Sequence, residues 1–410
     1  MRHSHYILLC FFTCLFIACE KKNVNEPEGI VPTGIFDQIW ATRMNVEHEI
    51  VNLTNGLLYK DWFLRTGDKD LPPTLYAFDK HTGEKVWEKV FDQFENDTYK
   101  DYIFKDTYIS NTHYDIFCVD LDTKEILWQV DFRDEDMYLG RARICENGLF
   151  YIKADYASNS PNHEQRLLEM DLNTGEYRIV YSNQNDEKGH KYMSLPVYLE
   201  ISGIPHLIFN EYPNSLQAPE NAEQNLVAIN LVTGEYLWKV EDFTENFYGS
   251  AGQYPVVYEN LVITGGDWSI YAFNFNTGEQ VWRYTFDYPW SIFNKTNHLI
   301  YKDRLYVNNG QYDVTCLNPL TGDLVWNNPE AGPNSTDNMI YYEKEDFLLF
   351  TAWGYGSVMI LDGITGETIY RERGYDDSSY NNDVVYDSEA DMFYCSTYKH
   401  AVGFKVNGPL

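Results

Sequence analysis

The stretch Tyr271 to Trp282 reads Tyr-Ala-Phe-Asn-Phe-Asn-Thr-Gly-Glu-Gln-Val-Trp, which is the pattern of a β-hairpin: alternating side chains, a polar Thr-Gly turn, and a second strand carrying a large aromatic. It recurs at Tyr76 to Trp87, Phe117 to Trp128, Leu168 to Ile179, Val227 to Trp238, Thr315 to Trp326 and Met359 to Tyr370. The turn threonines (Thr82, Thr123, Thr174, Thr233, Thr277, Thr321 and Thr365) are spaced by 41, 51, 59, 44, 44 and 44 residues. A repeat of this length marks an architecture in which each unit buries its apolar face only against its neighbours.

The turn has a physical cause at each position. Asp79, Asp120, Asp171, Asn230, Asn274, Asn318 and Asp362 open it, and a short Asp or Asn side chain bonds its own backbone two residues on. Glycine supplies the positive φ that follows. Gly83, Gly175, Gly234, Gly278, Gly322 and Gly366 keep this rule, whereas Lys124 breaks it, so the second repeat is expected to hold the most strained turn.

Two further strands precede each hairpin. Leu57 to Lys60 and Trp62 to Thr66 correspond to Leu299 to Lys302 and Arg304 to Asn308, and similar pairs occur at Tyr102 to Ser110, Arg143 to Ala154, Val197 to Phe209, Val256 to Thr264, Ile340 to Thr351 and Val384 to Ser396. Four strands per period make a propeller blade. After the seventh hairpin, Val384 to Ser396 and Ala401 to Val406 supply three strands and the sequence stops. Gln38 to Thr42 is an orphan strand with Trp40 where the repeat expects a tryptophan. The orphan is expected to complete the last blade and remove an open sheet edge. The fold class is all-β, an eight-bladed β-propeller closed by its N-terminal strand.

The pattern Ala-Phe-Asn-x-x-Thr-Gly-Glu-x-x-Trp resembles the repeat of pyrroloquinoline-quinone-type propellers, a family that holds quinoprotein dehydrogenases and the propeller lipoprotein of the outer-membrane β-barrel assembly machinery. The resemblance covers nearly all of residues 38 to 408. Its tryptophans, Trp87, Trp128, Trp238, Trp282 and Trp326, with Ile179 and Tyr370 as substitutes, read as inter-blade packing. The dehydrogenases hold their quinone between a tryptophan and, in many members, a disulfide of adjacent cysteines, with calcium and an aspartate base. This sequence has no adjacent cysteines, and Asp120-Leu121-Asp122 and Asp134-Glu135-Asp136 do not continue into a calcium loop.

At the N-terminus, Arg2 precedes an apolar run from Tyr6 to Ala18, which is too short to span a bilayer and has the shape of a signal peptide. It ends Leu15-Phe16-Ile17-Ala18-Cys19, resembling a bacterial lipobox, with Phe16 departing from the usual aliphatic residue. Residues 1 to 18 are accordingly expected to be removed and Cys19 lipidated; an ordinary signal peptide is the other reading. Acyl chains contribute about 0.8 kcal/mol per buried CH₂, so a triply acylated Cys19 would be firmly held. Residues 19 to 36, polar and containing Pro27 and Pro32, suit a tether, and residues 37 to 410 are the propeller. Outer-membrane attachment through the lipid is expected, with periplasmic and surface-exposed sides both open.

A formal net charge of −31 makes nucleic acid an improbable partner, since phosphate binding needs basic surface. It favours cationic partners instead. Cys118, Cys145, Cys316 and Cys395 fall in different blades within apolar strands, which reads as buried unpaired thiols. No metal-type cysteine spacing, His-Glu-x-x-His pair, phosphate-binding glycine loop or nucleophile elbow occurs. No catalytic residue, metal or cofactor is therefore expected.

In a propeller, the loops after the second and fourth strands emerge on one face and the Thr-Gly turns on the other. The second-to-third connections carry Tyr114, Tyr156, Tyr212, Trp268, Tyr312, Trp353, Tyr355 and Tyr398, and Trp290 joins them from a fourth-strand exit. Such loops are otherwise small and polar, so this density of aromatics on one face marks Tyr156, Tyr212, Trp268, Trp290, Tyr312, Trp353, Tyr355 and Tyr398 as candidate partner-binding residues. The fourth-strand exits are acidic: Asp92, Glu95 and Asp97; Asp134, Glu135 and Asp136; Glu241, Asp242 and Glu245; Asp376 and Asp377. Aromatic platforms in an acidic ring suit a polypeptide with aromatic anchors and basic contacts, or a glycan stacked on the rings; the same aromatics would also serve to cap the blades. The longest connections, Tyr156 to Gln165 and Asn210 to Gln224, lie on adjacent blades. The expected function is a non-catalytic, monomeric scaffold for an envelope protein, with a glycan-binding lipoprotein as the alternative and a quinone-dependent dehydrogenase behind both.

Overall fold

The computed structural model describes residues 34–44, 55–67, 72–91, 101–135, 137–145, 147–156, 165–183, 190–213, 224–244, 255–265, 269–287, 298–308, 313–331, 339–352, 357–373 and 380–407. They form eight separate antiparallel sheets, each one blade of a propeller. Blades one to seven span 57–90, 101–131, 137–183, 190–240, 256–285, 298–328 and 340–373. Blade eight takes three strands from 380–406 and its outermost from Phe36–Arg43, which pairs with His400–Val406 as Phe36↔Val406 through Arg43↔His400. The orphan strand thus closes the ring where the sequence placed it.

The core follows from the repeat. The described residues form eight hydrophobic clusters, one at each junction between neighbouring blades. Successive side chains on a strand point to opposite faces, so each blade feeds the cluster on either side. In blade one, Phe63 joins the cluster shared with blade eight, whereas Leu64 joins the one shared with blade two.

The Thr-Gly turn is built as its residues dictate. Asp79 Oδ1 accepts from the His81 and Thr82 amides at 3.0 and 2.8 Å and from the Thr82 hydroxyl at 3.0 Å, and the Gly83 amide donates to the Asp79 carbonyl at 2.8 Å. Gly83 sits at φ 75° and its counterparts at 72–81°; Lys124 takes the same left-handed place at φ 66°. A side chain there costs about 1–2 kcal/mol. We predict that Lys124→Gly raises stability by about 0.5–1 kcal/mol, the relief being partly offset by glycine's unfolded-state entropy; urea denaturation checks it, and a lower midpoint would contradict it.

The turn carboxylates also set a pH dependence. Burial works against the charged form of Asp79, but donation from Thr82 and His81 holds it below the usual range. Amide and hydroxyl donation from Thr123 depresses Asp120, and amide and side-chain donation from Asn173 depresses Asp171. A depressed folded-state pKa gives stability that is complete above the unfolded value of about 3.9 and is lost as pH falls through the folded one. Replacing Asp120 and Asp171 by asparagine, as the fifth and sixth blades have, should flatten the acid limb of stability against pH below about 4. Parallel acid limbs for both proteins would refute it.

The tryptophans lock the junctions. An alanine Cβ at Gly83, Gly175, Gly278, Gly322 or Gly366 would lie 2.4–3.0 Å from the ring of Trp40, Trp128, Trp238, Trp282 or Trp326 of the preceding blade. The indole N–H groups of Trp40, Trp128, Trp238 and Trp282 donate to the carbonyls of Lys80, Leu172, Phe275 and Pro319, each the residue after the turn's Asp or Asn, at 2.8–3.2 Å. At the Lys124 turn, the lysine ammonium instead stands 5.4 Å from the Trp87 ring centre.

Three features differ from the sequence reading. Blade four has five strands, because its inner edge is split into His190–Met193 and Val197–Ile201 at Pro196, which cannot donate to a ladder. Its next strand, Ile204–Pro213, therefore runs further than expected, and Tyr212 lies in a strand rather than in a loop. Tyr156 likewise ends the strand Phe150–Tyr156, paired with Met137. Cys118, Cys145, Cys316 and Cys395 are buried and form no disulfide among the described residues, as expected.

Candidate functional site

Among the described residues, the second-to-third-strand connections are complete at blades two and eight. In blade two the connection Thr112-His113-Tyr114-Asp115 closes on the Thr112 hydroxyl, which accepts from the Tyr114 and Asp115 amides at 3.3 and 3.0 Å. Blade eight repeats the device in Thr397-Tyr398-Lys399-His400, where the Thr397 hydroxyl accepts from the Lys399 and His400 amides at 3.2 and 3.0 Å. Hydroxyl-to-backbone bonds of this kind fix the path of the turn. The two turns carry His113 and Tyr114 on one blade and Tyr398 on the other.

Blade two's exit builds a platform on this base. Arg133 donates to Asp131 at 2.9 Å and to the fully buried Asp115 at 2.9 and 3.3 Å, while Gln129 adds a bond to Asp115 at 2.9 Å. Partial burial opposes the charged guanidinium, but the two carboxylates push its pKa up and keep it ionised. Its centre lies 5.4 Å from the Tyr114 ring. Tyr114 meets Tyr138 edge-on at 5.6 Å, and His113 stacks on Tyr138 at 4.3 Å with a 3.0 Å bond between Tyr138 Oη and His113 Nε2. Arg133 is matched twice over by carboxylates, so the platform offers aromatic faces beside the exposed acids Asp134 and Glu135. Such a surface favours an aromatic or cationic contact.

The candidate residues fare differently. Tyr398 sits half-buried at its turn. Tyr212 is 7% exposed and stacks on Tyr192 at 6.0 Å. The neighbouring Glu211 is buried, paired with Lys239 at 3.0 Å and Asn225 at 3.2 Å, and bonded by Tyr181. Tyr156 is described through its backbone alone. Trp268, Trp290, Tyr312, Trp353, Tyr355 and Cys19 lie outside the described residues, as do Asp92, Glu95, Asp97, Asp136, Glu245, Asp376 and Asp377. Sequence reasoning missed His113, Arg133 and Tyr138; the Thr-x-x-Asp spacing at Thr112 was the available signal for the first.

The ring also encloses space. A cavity of about 480 Å³ lies against the inner strands of blades three to six, with Arg143, Tyr198 and His298 as its polar lining. Burial, helped by Arg143, pushes His298 down to about 4, so its imidazole is neutral at neutral pH. Arg143 donates to the Pro196 carbonyl at 3.1 Å. Among the described residues no group of three or more His, Cys, Asp or Glu side chains is arranged to hold a metal ion. Nor, among them, is any helix long and apolar enough to cross a membrane.

Comparison with known proteins places the architecture. Residues 212–344 match the family model described as outer membrane protein assembly factor BamB. No curated protein matches the chain. Among solved structures, BamB from Moraxella catarrhalis aligns with a TM-score of 0.57 at 14% identity, covering 90% of this chain and 100% of that one. Quinohemoprotein alcohol dehydrogenase ADHIIG from Pseudomonas putida HK5 aligns with a TM-score of 0.67 at 12% identity, covering 92% and 77%. The computationally designed Ika8 protein gives 0.61 at 12%, covering 88% and 97%. The chain carries the PQQ-type propeller repeat and resembles BamB; at these identities the structural likenesses speak for the fold.

Proposed function

We propose that this chain is a non-catalytic propeller, anchored by lipid at Cys19 to the bacterial outer membrane, that presents its second-to-third-strand face to a protein partner of the cell envelope. The observation that carries this reading is the match of residues 212–344 to the BamB family, whose description is that of an outer-membrane protein assembly factor. The aromatic platform of His113, Tyr114 and Tyr138 beside Asp134 and Glu135 supports it, as a preformed surface that needs little backbone movement to bind. The net charge of −31 directs that surface to a partner with basic contacts.

Mild-detergent purification of the acylated protein from its own membranes tests the reading. Wild type is expected to bring down an outer-membrane protein in stoichiometric amount, and Cys19→Ala to leave the membrane fraction and lose it. An empty purification from wild type, with the protein folded, would remove the scaffold and turn attention to glycans. A quinone-dependent dehydrogenase is the second reading, favoured by the TM-score of 0.67 to the quinohemoprotein alcohol dehydrogenase. Alcohol-dependent dye reduction by the pure protein after addition of pyrroloquinoline quinone and calcium would replace the scaffold with that enzyme; no turnover is expected.

A further inference from the structure

Every blade ends on an outer strand whose far side has no partner in its sheet, and such edges invite pairing with other chains unless charge guards them. Seven of the eight are guarded: each carries at least one charged side chain, such as Lys89 in blade one, Lys239 in blade four or Arg283 in blade five. Blade six is the exception. Its outer strand, Leu324–Asn328, reads Leu-Val-Trp-Asn-Asn without a charge, pairs only with Val314–Leu317, and among the described residues makes no backbone hydrogen bond on its outer side. The bulge at Val325 recurs at the same place in blades one and five, and it leaves Trp326, Asn327 and Asn328 in regular register. Leu324 and Val325 are 52% and 45% exposed, and Asn327 is exposed as well. The strand is an open, uncharged ladder edge.

Its two faces differ. Leu324 pairs with Leu317 and Asn327 with Thr315, which places both on the side of blade five, whereas Trp326 and Asn328 pair with Cys316 and Val314 of the cluster shared with blade seven. On the blade-seven side a groove of about 380 Å³ lies between residues 327–330 and 365–368. It holds the exposed Glu330 and Glu367, whose carboxylates make no ion pair or hydrogen bond among the described residues. Between Arg304 and Lys344 the sequence has no lysine or arginine, against five carboxylates. We infer that the outer strand of blade six is a docking edge for an extended segment of another protein, in which basic and apolar residues alternate, added to the sheet as a fifth strand. Main-chain bonds to Leu324–Asn328 give it affinity. Successive side chains of a strand point to opposite faces, so its lysines or arginines meet Glu330 and Glu367 while its apolar residues lie beside Leu324. A second copy of this chain is disfavoured, because pairing two such edges would bring like charges together on molecules of net charge −31. The edge does not depend on the surface assigned above.

The test uses the purified protein and a fluorescein-labelled peptide, Gly-Lys-Val-Lys-Val-Lys-Val-Gly, read by polarisation. Saturable binding is expected. Methylating the central backbone amides of the peptide, which removes donors but keeps every charge, should weaken it by about tenfold or more, as loss of ladder hydrogen bonds requires. Val325→Lys gives this edge the guard that the others have and should weaken binding by about threefold or more through like charge. Glu367→Gln should weaken it too. A chain of net charge −31 attracts any cationic peptide, so the control is Leu127→Lys, the same change at the corresponding bulge of blade two, where Leu127 is 54% exposed. It should leave binding unchanged. Absence of saturable binding, undiminished binding by the methylated peptide, undiminished binding to Val325→Lys or Glu367→Gln, or equal weakening by Leu127→Lys would each overturn the inference. So would a wild-type dimer in sedimentation that Val325→Lys dissolves, which would make a second copy of this chain the occupant.

Discussion

Replacing Trp40 by alanine is expected to destabilise the protein by about 3–5 kcal/mol, the range for removing a buried tryptophan. Trp40 is 1% exposed and lies on the one strand that the N-terminal region contributes to the ring. Its ring contacts Tyr394 within blade eight at 6.0 Å and Phe63 and Phe78 of blade one at 6.4 Å each, and its N–H donates to the Lys80 carbonyl at 3.0 Å. It also fills the space that side chains at both Gly83 and Gly403 would occupy. The neighbouring Thr42 hydroxyl adds a bond to the Gly83 carbonyl at 2.6 Å. Loss of the ring therefore loosens the pairing of Phe36–Arg43 and the contact between first and last blades together. Urea denaturation of the purified variant reads the effect; a loss below about 1 kcal/mol would mean that the ring is held closed by other contacts.

The second large effect is expected at Lys80. Its ammonium lies 2.8 Å from Asp387, both side chains are 9% exposed, and the pair bridges the turn of blade one to blade eight. Burial opposes the Asp387 charge, but Lys80 and the Ala390 and Glu389 amides outweigh it and hold the carboxyl below its usual range. Lys80→Met leaves that carboxylate enclosed and unmatched, which should cost about 3 kcal/mol. Lys80→Met combined with Asp387→Leu should cost less than Lys80→Met alone, because no charge is then stranded. The sign of the pH effect follows from the depressed pKa: the pair's contribution is complete above the unfolded value of about 3.9 and fades as pH falls through the folded one. In Lys80→Met the penalty should accordingly shrink in acid, as Asp387 takes up a proton. A double variant worse than the single, or a penalty that grows in acid, would contradict this account of the junction.

The parts of the fold legible in the sequence were those that repeat. Asp79-x-x-Thr82-Gly83 fixes a turn by local bonds alone, so its copies mark the blades, and the orphan Trp40 marks the closure. The extra strand His190–Met193 was not legible, since its four residues lack alternation and its pairing with Tyr212 is set by tertiary context. Tyr212 was misplaced for the same reason. The platform was legible only in fragments: Tyr114 sits in an expected loop, but its meeting with Tyr138 brings together the middle connection of one blade and the first strand of the next. Ile179 was visible as a substitution in the repeat. That it pairs with Leu168, one residue out of step with the tryptophans of the other blades, is set by the strand register, which no spacing records.

The central claim is that the second-to-third-strand face meets an envelope protein, and site-specific photo-cross-linking in living cells tests it most directly. A photoreactive amino acid would replace Tyr114 or Tyr398 on that face, and Asp122 at the exposed turn of blade two as the opposite-face control. The account predicts one discrete adduct with an outer-membrane protein from both Tyr114 and Tyr398 and none from Asp122. An adduct from Asp122 alone, or none from any position in a folded and membrane-attached protein, would contradict it.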